Sequence, residues 1–174
     1  YSDSVMKRVE NDFGFRFPLP PQYKLQQSNH EMLWFIWEGK DFRNNIFINI
    51  VPDTEPVTTA GMTALRDTFG RRYVHGSMGT SMITSRSEEY PLMVDSFNMA
   101  TGQLPAWKGW WTIGGEWQRG SFHHILFHDT AGKRYVFFEG FLEAPNVPNV
   151  PYYRLYSIMA SHFRFSTAGM AAQP

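Results

Sequence analysis

The sequence predicts an α+β fold: an antiparallel sheet flanked by helices. Three observations carry that expectation. Residues 81–142 read as successive strands, at about 81–87, 90–99, 106–113, 121–128 and 134–142. The last two are joined by Asp129-Thr130-Ala131-Gly132-Lys133, a compact glycine-bearing turn that predicts a hairpin. One crossover helix precedes this run and one terminal helix follows it, which segregates helices from strands instead of alternating them in βαβ units.

The elements follow in order along the chain. Residues 3–12 place Val5, Met6 and Val9 on one side, as a short amphipathic helix does. Phe13, Phe15 and Phe17 then alternate with period two, giving an entry strand that Pro18-Leu19-Pro20-Pro21 ends. Met32–Trp37 is apolar on both faces, as expected of a strand covered on both sides. Asn45–Val51 points Ile46, Ile48 and Ile50 one way and Asn45, Phe47 and Asn49 the other, and the link over 39–44 suits a hairpin.

Pro52 to Pro56 breaks the pattern, and Thr58 or Thr59 can cap a helix over 58–74. Met62, Leu65, Phe69 and Tyr73 form its apolar stripe, which leaves Arg66, Arg71 and Arg72 outward, the last two complementing the dipole, and Gly76 ends it. After the ring-rich strand Val136–Leu142 and a proline-punctuated connector over 144–151, a closing helix is expected at 152–163. Tyr152, Leu155, Tyr156, Met159 and Phe163 share its stripe. The organisation expected is one α+β domain over 1–165 and a disordered tail over 166–174.

Composition narrows the function classes. Of 174 residues, 43% are hydrophobic, 17% aromatic and only 18% charged, which points to an aromatic-packed globule with a rather neutral surface. Sixteen basic residues balance sixteen acidic ones, which argues against a nucleic-acid partner. Cysteine is absent, so disulfide scaffolds and thiolate metal sites are excluded. No apolar run has the length of a membrane-spanning helix. The chain opens at Tyr1 without an initiator methionine or a signal-like segment, and is expected to be a piece of a longer protein.

The segment LPAWKGWWTIGGEWQRG over 104–120 is the strongest candidate site, because it holds Trp107, Trp110, Trp111 and Trp117. On a strand from Ala106 to Ile113, Trp107 and Trp111 face one way and Trp110 the other. Either helices and loops cover both faces, or one face is an open aromatic platform for a sugar ring, a peptide or a lipid. Trp107 and Trp111 are the residues on which the platform reading rests most.

His123, His124 and His128 cluster on the next strand. His124 and His128 share a face about 13 Å apart, too far for one metal ion, and His123 points the opposite way. Surface histidines on a sheet face are the plainer expectation, and neither a metal nor a cofactor is called for. His75, His124 or His128 can pair with Asp95, Glu116, Asp129 or Glu139 as acid and base, but spacing singles out none of them. No nucleophile elbow or phosphate loop occurs, so no catalytic residue is assigned.

The opening Asp3-Ser4-Val5-Met6-Lys7, the Phe15-to-Pro20 segment FRFPLP, and the block Gly109-Trp110-Trp111 with Gly115-Glu116-Trp117 and Gly120-Ser121-Phe122 carry a resemblance. Residues 3–165 are similar to the C-terminal half of a Bacteroidetes lipoprotein family described as a domain of unknown function. One departure is visible: the family block has a second glycine before the Phe122 position, where this chain reads Arg119-Gly120-Ser121-Phe122. The resemblance implies an envelope protein, periplasmic or surface-facing, tied to the membrane only through a lipid anchor upstream. The order of elements also resembles the PsbP-like sandwich, whose members are mostly binding or assembly factors.

The function expected is a noncatalytic binding or assembly module whose partner is a protein, a glycan or a small apolar ligand. Two alternatives stand beside it. One is a hydrolase or lyase of an envelope polymer with a His–carboxylate pair; the other is a structural domain packing on the upstream part of the same chain. Oligomeric state is left open.

Overall fold

The computed structural model describes residues 3–54, 56–89, 91–114, 118–143 and 148–166. Helix α1 (Asp3–Phe13) leads into β1 (Phe15–Arg16), then β2 (Lys24–Asn29), β3 (Met32–Glu38) and β4 (Arg43–Pro52). Helix α2 (Thr59–Tyr73) is followed by β5 (Met82–Thr84), β6 (Met93–Met99), β7 (Gly102–Ile113), β8 (Arg119–Asp129) and β9 (Arg134–Glu143). Helix α3 (Val150–Ser161) and β10 (Arg164–Phe165) close the chain. Eight strands form one antiparallel sheet in the order β2-β3-β4-β9-β8-β7-β5, with β6 also paired to β7. The predicted α+β class, an antiparallel sheet flanked by helices, is the architecture found.

Each face of the sheet carries its own core. On one face, Leu33, Phe35, Ile46, Ile48, Ile125 and Phe138 pack with Met6 and Val9 of α1 and Tyr156 and Met159 of α3. On the other, Met62 and Phe69 of α2 cover Phe47, Trp107, Trp111, Phe122, Phe137 and Phe141. A strand flanked by both cores has no solvent-facing side, which explains why β3 and β9 read as near-continuous apolar runs. Gly140 on β9 lets α3 approach: a Cβ there would lie 2.3 Å from the Tyr156 ring. The Tyr156 hydroxyl then donates to Asn44 Oδ1 at 2.7 Å inside the core, which satisfies the one polar tip of the ring.

Several expectations are corrected. The entry strand shrinks to two residues, because Phe13 ends α1 and Gly14, at φ 70°, turns the chain after it. Its alternation survives as Phe15 and Phe17, both buried. Strand β2 was not foreseen, since KLQQSN has no apolar alternation and lies at the sheet's rim. Thr58 caps α2 as expected, accepting from the Gly61 N–H at 3.0 Å. Arg66 does not face outward; it is 2% exposed beneath α2. Arg66 lies one helical turn beyond Met62 and one before Phe69 and Gly70, so it belongs to the buried stripe. The expected tail, apart from Ser166, lies outside the described residues.

Candidate functional site

The sheet separates the four tryptophans. Trp107 and Trp111 point toward α2 and are 3% and 2% exposed. The Trp107 indole N–H donates to Thr59 Oγ1 at 3.3 Å, and the Trp111 N–H donates to the Leu142 carbonyl at 3.3 Å. Both rings are therefore covered and satisfied, and they form no open platform. Trp110 points to the opposite face and is half-buried. Trp117, with Gly115 and Glu116, lies outside the described residues.

Trp110 lines a groove instead. Helix α3 packs on β8 and β9, and among the described residues no helix lies over Lys108 and Trp110 of β7 beside it. Two adjoining depressions result, of about 320 and 530 Å³, sharing Lys108 and Tyr153. Met93 of β6 and Trp110 border the first, and Val150, Arg154 and Ile158 of α3 border the second. Met93, Val150 and Ile158 are each more than half exposed, at 56%, 57% and 52%. Apolar side chains concentrated along one groove mark a contact surface more than scattered ones do.

Electrostatics in the groove are modest. Lys108 donates to Asp95 on the neighbouring strand, and that bond holds the Asp95 carboxyl below the usual carboxylate range. Arg154 stands exposed on α3. His123 forms part of the floor at 4% exposed, with its ring against Phe97 and Tyr153. Burial, assisted by the Lys108 charge, pushes its pKa down to about 4. His123 is thus a neutral, buried ring at neutral pH, and His124 is buried too, at 1%. Neither is the surface histidine expected.

His124 belongs to a charged cluster under α2. Its Nδ1 lies 2.7 Å from Glu139 Oε2. Arg66 grips the same carboxylate with Nε and Nη2 and also donates from Nη1 to Thr84 Oγ1 at 3.2 Å. The Arg66 guanidinium lies 3.9 Å above the Phe122 ring. Burial alone would raise the Glu139 pKa, but the Arg66 charge and the His124 hydrogen bond outweigh it and hold the carboxyl low. Next to this, Asp67 accepts the Thr84 backbone N–H at 2.6 Å, joining α2 to β5.

The cluster does bring a histidine to a carboxylate, yet the two side chains are 2% and 1% exposed and both oxygens are already taken. An acid–base pair needs hydrogen-bond reach to a substrate; this one reaches only the protein. The other acid–base candidates disperse. His128 pairs with Asp53 at 2.8 Å, a residue that spacing did not suggest, while Asp129 is occupied by Arg134 and the Gly132 N–H of its turn. His75 contacts Ser81 and the Arg72 carbonyl. Among the described residues, no group of three or more His, Asp or Glu could hold a metal ion, and no helix is long and apolar enough to cross a membrane.

Comparison with known proteins bears on family and fold. A family model described as a domain of unknown function (DUF4837) matches residues 2–158. The chain belongs to that family. No curated protein matches this DUF4837 chain. Among solved structures it is similar to the Saccharomyces cerevisiae Ran-binding protein Mog1p, at 8% identity and a TM-score of 0.57. That alignment covers 91% of this chain and 94% of the other. A point mutant of protein Mog1 matches at 9% identity and a TM-score of 0.58, with the same coverage. At such identity the likeness concerns fold, and it places the DUF4837 chain in the Mog1/PsbP-like class.

Proposed function

We propose that this chain is a noncatalytic protein-binding module of a bacterial cell-envelope lipoprotein, and that the groove between α3 and β7 is its contact surface. The observation that carries the reading is the row of Met93, Trp110, Tyr153, Val150 and Ile158 along one open groove, three of them more than half exposed. Aromatic and bulky apolar side chains in a concave strip, with Arg154 exposed beside them and Lys108 at the junction already paired with Asp95, suit the largely apolar contact area of a protein interface. The balanced net charge gives no support to a polyanion partner. One protein of this fold is described as Ran-binding, so the architecture is compatible with a protein partner. Trp107 and Trp111 then act as the support under the groove's sheet, not as contacts. The envelope location and the upstream lipid anchor rest on the sequence resemblance at 15–20 and 109–122.

The lidded His124–Glu139 pair favours binding over polymer cleavage. Its carboxylate is committed to Arg66 and its surroundings admit no substrate.

Photo-crosslinking in living cells tests the proposal. A photoreactive residue replaces Ile158 or Val150 of the full-length protein, and Lys133 serves as an exposed control. One discrete adduct should form from both groove positions and not from the control. It should be lost when Trp110→Ala is added. Equal labelling from all three positions, or from none, overturns the groove as the contact surface.

A further inference from the structure

The sheet has two kinds of rim. Strand β2 is guarded: it is polar, it carries Lys24, and its register with β3 slips between Leu25 and Gln27. Charge and irregularity of this kind keep an edge from pairing with another strand. Strand β6, MVDSFNM, is less guarded: its one charge, Asp95, is paired with Lys108 of β7. It contains no lysine, arginine or proline, and its register with β7 is unbroken from Met93↔Lys108 to Met99↔Gly102. Among the described residues it pairs with β7 alone. Met93 and Val94 are 56% and 67% exposed. β8 follows β7 only from Ala106 onward, so strand pairing over 96–105 is confined to the β6–β7 hairpin, whose Phe97, Met99 and Leu104 pack on the core.

We propose that β6 pairs antiparallel with β6 of a second copy of this chain, about a two-fold axis through Ser96. Full-length self-pairing of seven residues fixes the axis at their midpoint, since Met93 then meets Met99, Val94 meets Asn98 and Asp95 meets Phe97. No like charges face each other in this register. The one carboxylate, Asp95, is already neutralised by Lys108 within its own subunit. With a formal net charge of +0, two copies do not repel at long range.

Backbone polarity supports the same register. Ser96 sits opposite Pro105, which has no N–H, so that pair cannot exchange the two ladder bonds of an antiparallel site. The ladder to β7 must therefore run through Asp95 and Phe97, which leaves Val94, Ser96 and Asn98 presenting N–H and C=O to the free side. Ser96 N–H indeed bonds the Asp95 carboxylate at 2.8 Å and not β7. Those three positions are the ones the two-fold register brings together, offering about six ladder bonds once Ser96 N–H exchanges its carboxylate for a carbonyl.

Sedimentation velocity on the full-length protein, over roughly three decades of concentration up to the high micromolar range, tests this with paired variants. The wild type should show a monomer–dimer equilibrium. Val94→Lys with Asn98→Lys places lysines opposite each other at both ends and should raise the dimer Kd at least about tenfold. Val94→Lys with Asn98→Glu replaces the same two exposed residues but sets lysine against glutamate, and should restore dimerisation. The chain has no cysteine, so Ser96→Cys gives a second readout. Directly opposed residues lie about 5.5 Å apart, within disulfide range. Air oxidation should then link Ser96→Cys subunits, and a Lys133→Cys control should stay unlinked. A wild type that stays monomeric throughout, or a Lys/Glu variant as monomeric as the Lys/Lys one, overturns the proposal.

Discussion

Arg66 and Glu139 meet as a fork on a fork: Nε reaches Oε2 at 2.9 Å and Nη2 reaches Oε1 at 2.8 Å, with the two side chains 2% and 1% exposed. One comes from α2 and the other from the middle of β9, so the pair pins the helix to the sheet's centre. Parallel charge-assisted bonds also fix the rotation of α2 about its axis. Arg66→Met should destabilise the protein by about 3–5 kcal/mol, because it strands a buried carboxylate. Adding Glu139→Gln should recover much of that loss, since the interior then holds a neutral amide beside His124. Urea melts of the two variants check this; a double variant less stable than the single one would falsify the ion-pair account.

Two acid transitions should be separable. His123 titrates near 6.5 when unfolded but is pushed down to about 4 in the fold by burial and the Lys108 charge. Below pH 6.5 the unfolded chain therefore binds a proton that the native chain refuses, and stability falls as pH drops from 6.5 to about 4. The full effect of that shift is roughly 3 kcal/mol. His123→Phe keeps the ring contacts and removes an unpartnered buried Nδ1; it should flatten stability over this window. Glu139 acts lower. Its folded pKa is depressed, so its contribution is intact above the unfolded value of 4.5 and is lost as pH falls below it. Denaturation midpoints at closely spaced pH values between about 7 and 3 would show one limb vanish in His123→Phe and the other persist.

These residues also show what the sequence discloses. Helix α2, its Thr58 cap and the β8–β9 hairpin were legible because period and turn chemistry are local signals. Strand β2 was not, since KLQQSN owes its conformation to pairing with β3 and not to any pattern of its own. Arg66 was misplaced because residue type was weighed above phase: it falls on the stripe of Met62, Phe69 and Gly70, and its buried charge is met by partners far away in sequence, Glu139, Thr84 and the Phe122 ring. The groove was half visible. Trp110 was correctly set against Trp107 and Trp111 by alternation, but where α3 would lie, and which face it would leave open, depends on contacts such as Tyr156 on Gly140 that no local pattern carries.

Trp107, Trp111 and Trp110 should behave as different residues despite their adjacency. Trp107→Ala or Trp111→Ala empties a packed, hydrogen-bonded indole site under α2 and should cost about 3–5 kcal/mol. Trp110→Ala removes a half-buried ring from a groove wall and should cost well under half as much. Thermal melts rank the three. Equal losses at all three positions would mean that the groove is sealed core, which would also remove the basis for a contact surface there.

Gly140→Ala offers the sharpest test of how α3 is seated. The added methyl would stand 2.3 Å from Tyr156 ring atoms, and that ring is itself held by the bond to Asn44. Neither β9, paired on both sides, nor Tyr156 can retreat without losing buried contacts, so the helix must lift. Overpacking of this kind costs about 1–3 kcal/mol, occasionally more, and it should move Tyr153 and Ile158 along with the helix. Gly114→Ala, where nothing lies within 4 Å of the new Cβ, is the matched control and should change stability little. If α3 carries the groove wall, Gly140→Ala should also weaken crosslinking from Ile158 while the protein remains folded, whereas Gly114→Ala should leave it unchanged.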